Sequence, residues 1–255
     1  MTDGQSRNLT LSDNLKKIFL HDYHLDNQAK MTSFSGYNMP INYDLGIIKE
    51  NIHVRNSAGI FDVSHMGQIL ISFSEYNIEL LSKFIPLDFN KIKVNKSYYS
   101  FILNEKGCIV DDIILSKIII NKDIFFYVVY NASRKVVNEK IFKENLTNIQ
   151  FLTNNSLLAI QGPKAELILK ILEIENDLLF MESKVCNYLN QSIIVSRSGY
   201  TGEDGFEISI PNSIILSFIQ LIMKIDSLKL CGLGSRDSLR LEAGLSLYGN
   251  ELNEN

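Results

Sequence analysis

A chain of 255 residues, 45% of them hydrophobic and 21% charged, can bury one sizeable core or two small ones and is not a disordered polymer. Its formal net charge of −4 speaks against a nucleic-acid surface or an anionic membrane as partner, since either needs clustered Lys and Arg. Cys108, Cys186 and Cys231 are odd in number and lack metal-type spacing. Small buried thiols in a reducing cytoplasm are expected, not a disulfide framework.

Residues 1–12 have neither an apolar signal core nor the Arg-rich, acid-poor character of a transit peptide, so the expected location is cytoplasmic. The run Leu11-Ser12-Asp13-Asn14 predicts a helix start before residues 15–19. His21 and His24 lie three apart on a predicted helix, but no Cys or acidic set completes a zinc site, and no metal is expected. Residues 43–56 predict a second helix, with Leu45, Ile48, Ile52 and Arg55 at helical spacing and Gly59 beyond its end. A strand over 68–73 and a helix over 75–84, stopped before Pro86, come next. Strands follow over 98–103, 108–120 and 124–130, with turns at 104–107 and 121–123. A helix over 133–145 and a strand over 149–151 complete an α+β unit from 68 to 151.

Beyond it, the pattern gives a strand over 156–161 and a helix over 164–172 with Pro163 near its start. Strands over 193–196 and 206–210 flank a Gly-rich turn, and helices over 214–225 and 236–245 close the chain. The apolar runs are strand-length, and none reaches the ~20 residues of a membrane span. No internal repeat is present.

Asp111 and Asp112 stand inside the apolar run Ile109-Val110-Asp111-Asp112-Ile113-Ile114-Leu115. A buried unpaired carboxylate is costly, so such groups are paired, protonated or functional. Alternation lets only one of the two face a pocket; the other must find backbone donors or solvent. A β-bulge or an Asp-capped turn is the structural alternative. Glu207 alternates with Phe206, Ile208 and Ile210, which places it on the face opposite the core, just after Gly199, Gly202 and Gly205. Those glycines permit positive φ and close approach of a ligand to backbone. A carboxylate there suits a ring that presents a pair of N–H donors; a solvent-facing strand Glu is the alternative.

Arg236 opens the last predicted helix, where a cation opposes the helix dipole. It is expected to pair with a ligand or a buried carboxylate, or else with Glu203 or Asp204 at the surface. Arg240, one turn on, is expected to pair with Asp237. Tyr99 and Tyr200 can pack against an aromatic ligand and keep a polar hydroxyl, or be core tyrosines. Asp62, Ser64 and His65 are neighbours in sequence without a Gly-x-Ser-x-Gly elbow, so triad chemistry is not expected.

Four blocks resemble one family: Phe61-Asp62-Val63-Ser64-His65-Met66-Gly67, Asp111-Asp112, the run from Ser198 to Glu207, and the run from Gly232 to Glu242. They are similar to the aminomethyltransferase, or T-protein, of the glycine cleavage system, and the resemblance runs from about Leu15 to the end. It implies an α+β folate-binding aminomethyltransferase fold, with two interleaved subdomains and antiparallel or mixed sheets around a central cavity. Residues 1–67 plus 152–255 would form one subdomain, residues 68–151 an inserted second, and the family's C-terminal β-barrel would be absent. Asp112 would be catalytic, with Glu207, Arg236, Tyr99 and Tyr200 binding substrate.

The co-substrate implied is tetrahydrofolate, with no metal, and the partner is the lipoylated H-protein. The products would be 5,10-methylenetetrahydrofolate, ammonia and the reduced lipoyl group. Iron–sulfur assembly relatives carry a functional Cys that Arg197-Ser198-Gly199-Tyr200 lacks. Folate-dependent demethylases, the folate halves of sarcosine or dimethylglycine oxidases, and a truncated folate-binding module with little activity remain alternatives.

Overall fold

Strand pairing brings distant parts of this chain together in two sheets. The computed structural model describes residues 14–175 and 177–254. The predicted helix start at 11–13 lies outside them, and residues 15–19 are not helical. Lys16 instead bridges to Tyr37, its N–H bonded to the Gly36 carbonyl, while Ile18 is buried with Met39 and Leu233. Helix begins later, at α1 (His21–Asp26). A hairpin of β1 (Lys30–Phe34) and β2 (Tyr37–Asn42) follows, turning on Ser35 and Gly36 at φ of 50° and 80°. Then comes α2 (Gly46–Asn56).

The first large sheet has six strands: β3 (Ala58–Asp62), β9 (Asn155–Gln161), β10 (Glu182–Tyr188), β11 (Gln191–Arg197), β12 (Gly205–Pro211) and β13 (Leu228–Leu230). Their order is β10-β11-β12-β9-β3-β13, antiparallel except for the β3–β13 pair. The second sheet has five antiparallel strands: β4 (Gly67–Ser72), β5 (Ser97–Leu103), β6 (Ile109–Ile120), β7 (Asp123–Tyr130) and β8 (Ile149–Phe151), in the order β5-β6-β7-β4-β8. The fold class is thus α+β with mixed and antiparallel sheets.

Helices cover the outer faces. α5 (Ala165–Ile171) and α6 (Asn212–Ile222) pack Ile168, Leu169, Phe218 and Ile219 on Ile160, Phe206, Ile208 and Ile210 of the six-stranded sheet. α3 (Glu75–Leu81) and α4 (Lys135–Asn145) pack Leu81 and Phe142 on Ile69, Leu115, Phe126 and Val128 of the five-stranded sheet. A third apolar cluster joins the inner faces, with Phe61, Leu157 and Ala159 against Leu70, Tyr127 and Val129.

The sheets are also stitched at one corner. The Ser97 N–H bonds the Met181 carbonyl and the Ser183 N–H bonds the Asn95 carbonyl, each at 2.9 Å. Four buried hydroxyls, on Ser97, Ser116, Ser183 and Ser196, close a hydrogen-bond network there at 2.6–3.2 Å. Each of the four hydroxyls has at least one hydrogen-bond partner within the network.

The helix expected over 43–56 is present as α2, but its apolar residues Ile48 and Ile52 do not form its inner face. Ile48 is 76% and Ile52 54% exposed, whereas Glu50, Asn51 and Val54 are buried. The inward polar residues keep their place because each is hydrogen-bonded to a neighbouring element.

Candidate functional site

A cavity of about 990 Å³ opens where the two sheets meet the last helix, α7 (Leu233–Glu242). Asp112, Tyr99 and Asn131 line it from the five-stranded side, Ser198, Tyr200 and Glu207 from the six-stranded side, and Arg236 from α7. Its size is in the range of a drug-sized ligand pocket.

Alternation separates the two aspartates. Asp111 is fully buried away from the cavity and accepts from the Asn131 N–H at 3.0 Å, Asn131 Nδ2 at 2.8 Å and Asn138 Nδ2 at 2.6 Å. Asp112 faces the cavity. Asn131 Nδ2 donates to its Oδ1 at 2.7 Å, and the Tyr99 hydroxyl donates to its Oδ2 at 3.1 Å. Tyr99 stands opposite Ile114 and Asp112 opposite Phe101, so the tyrosine reaches the carboxylate diagonally across the strand pair. A bulge is present too: Leu103 pairs with Ile109 and Ile102 with Asp111, leaving Val110 between them. Burial raises the proton affinity of both carboxyls above the usual range and pushes that of Asp111 up to about 6.

Glu207 sits on β12 opposite the core residues Phe206 and Ile208 and accepts from Ser198 Oγ at 2.8 Å. Arg236 lies over the Tyr200 ring, its guanidinium carbon 4.8 Å from the centroid. Its Nη1 is buried without a hydrogen-bond partner, and no carboxylate among the described residues pairs with it. Burial lowers its proton affinity, and the charge of Glu207 opposes that loss. The expected surface partners are taken: Glu203 pairs with Arg55 and Asp204 with Arg197. Arg240 pairs with Asp237 as expected, and with Glu251 as well. The Tyr200 hydroxyl donates to the Ser246 carbonyl at 2.5 Å, and burial pushes its pKa up to about 12.

Among the turn glycines, the expected positive φ is found at one, and packing within the chain constrains the other two. Only Gly202 of the three has positive φ, at 79°. A Cβ on Gly199 would lie 1.8 Å from Gln161 Oε1, and one on Gly205 2.3 Å from Gln161 Nε2. Gln161 lies against both Gly199 and Gly205. Its Nε2 donates to the Ser198 carbonyl at 3.0 Å and its Oε1 accepts from Thr201 Oγ1 at 2.9 Å. Gln161 and Asn131 are both absent from the sequence reading. A Gln ending an apolar strand and an Asn starting a turn carry no distinctive local signal.

Asp62 pairs with His24 Nε2 at 2.9 Å and accepts from Ser64, while the Tyr43 hydroxyl meets His24 Nδ1 at 2.9 Å. His65, though it lines the cavity, has no bond to Asp62; burial lowers its pKa to about 3, so it is neutral. These contacts form no nucleophilic triad. Among the described residues, no group of three His, Cys, Asp or Glu side chains is placed to hold a metal ion, and no helix is long and apolar enough to cross a membrane.

A family model described as the GCVT N-terminal domain matches residues 20–255. The chain belongs to this family. Its relatives include the mitochondrial aminomethyltransferase of Dictyostelium discoideum, 39% identical over 98% of this chain and 66% of that protein. The aminomethyltransferase of Thermoanaerobacter pseudethanolicus is 40% identical over 95% of this chain and 67% of its own length. Among solved structures, the glycine cleavage system aminomethyltransferase T from Bartonella henselae superposes with a TM-score of 0.87 at 36% identity, covering 94% of this chain and 66% of that one. The chain therefore has the aminomethyltransferase fold of this GCVT relative and spans about two thirds of the length of the relatives it matches.

Proposed function

We propose that this chain carries the folate site of a tetrahydrofolate-dependent aminomethyltransferase. It would take the aminomethyl carbon from the lipoyl arm of the glycine cleavage H-protein and give 5,10-methylenetetrahydrofolate, ammonia and the reduced lipoyl group. The reading places it in a reducing aqueous compartment such as the cytoplasm. It also treats residues 1–67 with 152–255 as one subdomain and 68–151 as a second, inserted one.

The observation that carries the proposal is the buried Nη1 of Arg236, with no hydrogen-bond partner and no ion pair among the described residues, in the same cavity as Asp112 and Glu207. A desolvated cation without a partner is costly, which favours a site completed by ligand. Glu207 would accept from the N–H edge of the pterin, and the Tyr200–Arg236 stack would flank the ring. Asp112 would meet the reacting folate nitrogen. Tyr99 and Asn131 hold one carboxylate oxygen each, so its orientation is fixed before substrate arrives. A carboxylate whose proton affinity is raised by burial suits accepting a proton from that nitrogen, or stabilising positive charge as the C–S bond breaks.

Calorimetry with tetrahydrofolate tests the binding role. Glu207→Ala is expected to weaken affinity about 10- to 100-fold, the range for a lost charge-assisted hydrogen bond. Asp112→Asn is expected to impair turnover more than affinity in an assay with lipoylated H-protein. Equal affinity of wild type and Glu207→Ala, or full turnover by Asp112→Asn, would overturn the assignment of that residue.

A further inference from the structure

We propose that Glu50, which does not line the cavity, is the residue that positions Arg236 for its ligand. The tetrahydrofolate reading supplies the identity of that ligand; the geometry is independent of it. Glu50 is fully buried on α2. Its Oε1 accepts from the Tyr43 N–H at 2.6 Å, and its Oε2 accepts from the Gly232 N–H and the Ser235 hydroxyl, each at 2.9 Å. Gly232 is the N-cap of α7 and has no side chain with which to cap it. The Glu50 carboxylate, from another helix, accepts from the N-cap N–H as the N3 carboxylate of a capping box does.

Glu50 also sets a negative charge at the positive end of α7. That resolves the misfit of Arg236, a cation in the first turn of a helix. Arg236 follows Ser235 directly, and its N–H makes an early bond of the helix, to the Gly232 carbonyl at 3.2 Å. The next polar residues of α2 fasten what surrounds it. Asn51 Nδ2 donates to Ser238 Oγ and Glu242 Oε1. Arg55 donates to Glu242, to the Thr201 carbonyl at 2.7 Å and to Glu203 Oε1 at 2.9 Å, the last two in the turn that bears Tyr200. Thus α2 is bonded both to α7, which carries Arg236, and to the turn that carries Tyr200, and of these three residues only Glu50 bonds the first turn of α7.

The test is a double-variant cycle on the full chain, using Glu50→Gln, Arg236→Gln and both together. Tetrahydrofolate affinity is read by calorimetry and unfolding without ligand by circular dichroism. Glu50→Gln is expected to weaken binding about tenfold when Arg236 is present and less than about twofold in the Arg236→Gln background. A role confined to stability would lower Tm and leave the affinity of the folded protein unchanged, or reduce it equally in both backgrounds; either result overturns the proposal. Ser235→Ala removes one donor to Glu50 and leaves the carboxylate in place. It is expected to weaken binding about threefold, again only beside Arg236, and replaces Glu50→Gln if that variant does not fold. Should wild type fail to bind tetrahydrofolate, the functional reading falls and the unfolding cycle decides. A non-additive loss of Tm between positions 50 and 236 sustains the positioning role, and additive losses refute it.

Discussion

Asp111 holds its proton more tightly in the folded protein than in the unfolded chain, because burial outweighs the three donors that favour its ionised form. Between pH 3.8 and about 6 the native state therefore binds more protons, and its stability falls as pH rises. The contribution is fully present below 3.8 and lost once pH passes about 6; the displacement corresponds to on the order of 3 kcal/mol. The urea midpoint of wild type should accordingly drop across that window relative to Asp111→Asn, and the two curves should run parallel above it. Asp112 titrates in both proteins and largely cancels from the comparison. A difference that stays constant from pH 3.5 to 7 would contradict the assignment. At this scale the sequence was most readable where chemistry and burial conflict: Asp112, Glu207 and Arg236 are charges in apolar or dipole-opposed positions, and the structure brings all three to one cavity with Tyr99 and Tyr200. Asn131, which bonds both aspartates, conflicts with nothing locally and gave no signal.

In the Gly-rich turn before β12, Gly199 and Gly205 leave room for Gln161. Gly199→Ala is expected to cost about 1–3 kcal/mol, the usual range for overpacking, because the Gln161 amide must leave both Ser198 and Thr201 to make room. A chemical unfolding midpoint equal to that of wild type would show that the side chain yields freely. Strands such as β6 and β7 were readable because apolar runs end at Asn121-Lys122, both at positive φ in the observed turn. The hairpin of β1 and β2 was not: its strands are half-exposed and mixed in polarity, with Pro40 inside the second. All five residues of β3 are buried, so it shows no alternation to read. The buried face of α2 was not legible for a related reason. Periodicity finds apolar stripes, whereas this helix turns inward a face of charged and amide groups that only their distant partners make tolerable.

Across the whole molecule, the order of strands along the chain differs from their order in the sheets. β3 pairs with β9, Gly59 facing Gln161, about a hundred residues along the chain. The five-stranded sheet lies entirely in the segment between them, and its β6–β7 hairpin closes over a turn of a few residues. Closing the long loop costs more entropy than closing the hairpin, so the local contacts have the kinetic advantage. Pulse-labelled hydrogen exchange during refolding should therefore protect amides of β6 and β7 before those of β3 and β9, and simultaneous protection of all four strands would refute the order. The ligand cavity takes walls from both sheets and from α7, which comes last in the chain. It can close only after the six-stranded sheet is assembled. A nascent or refolding chain would thus pass through a stage in which the aspartate wall stands complete while Arg236 still waits for its helix, and recovery of ligand binding would lag behind recovery of secondary structure.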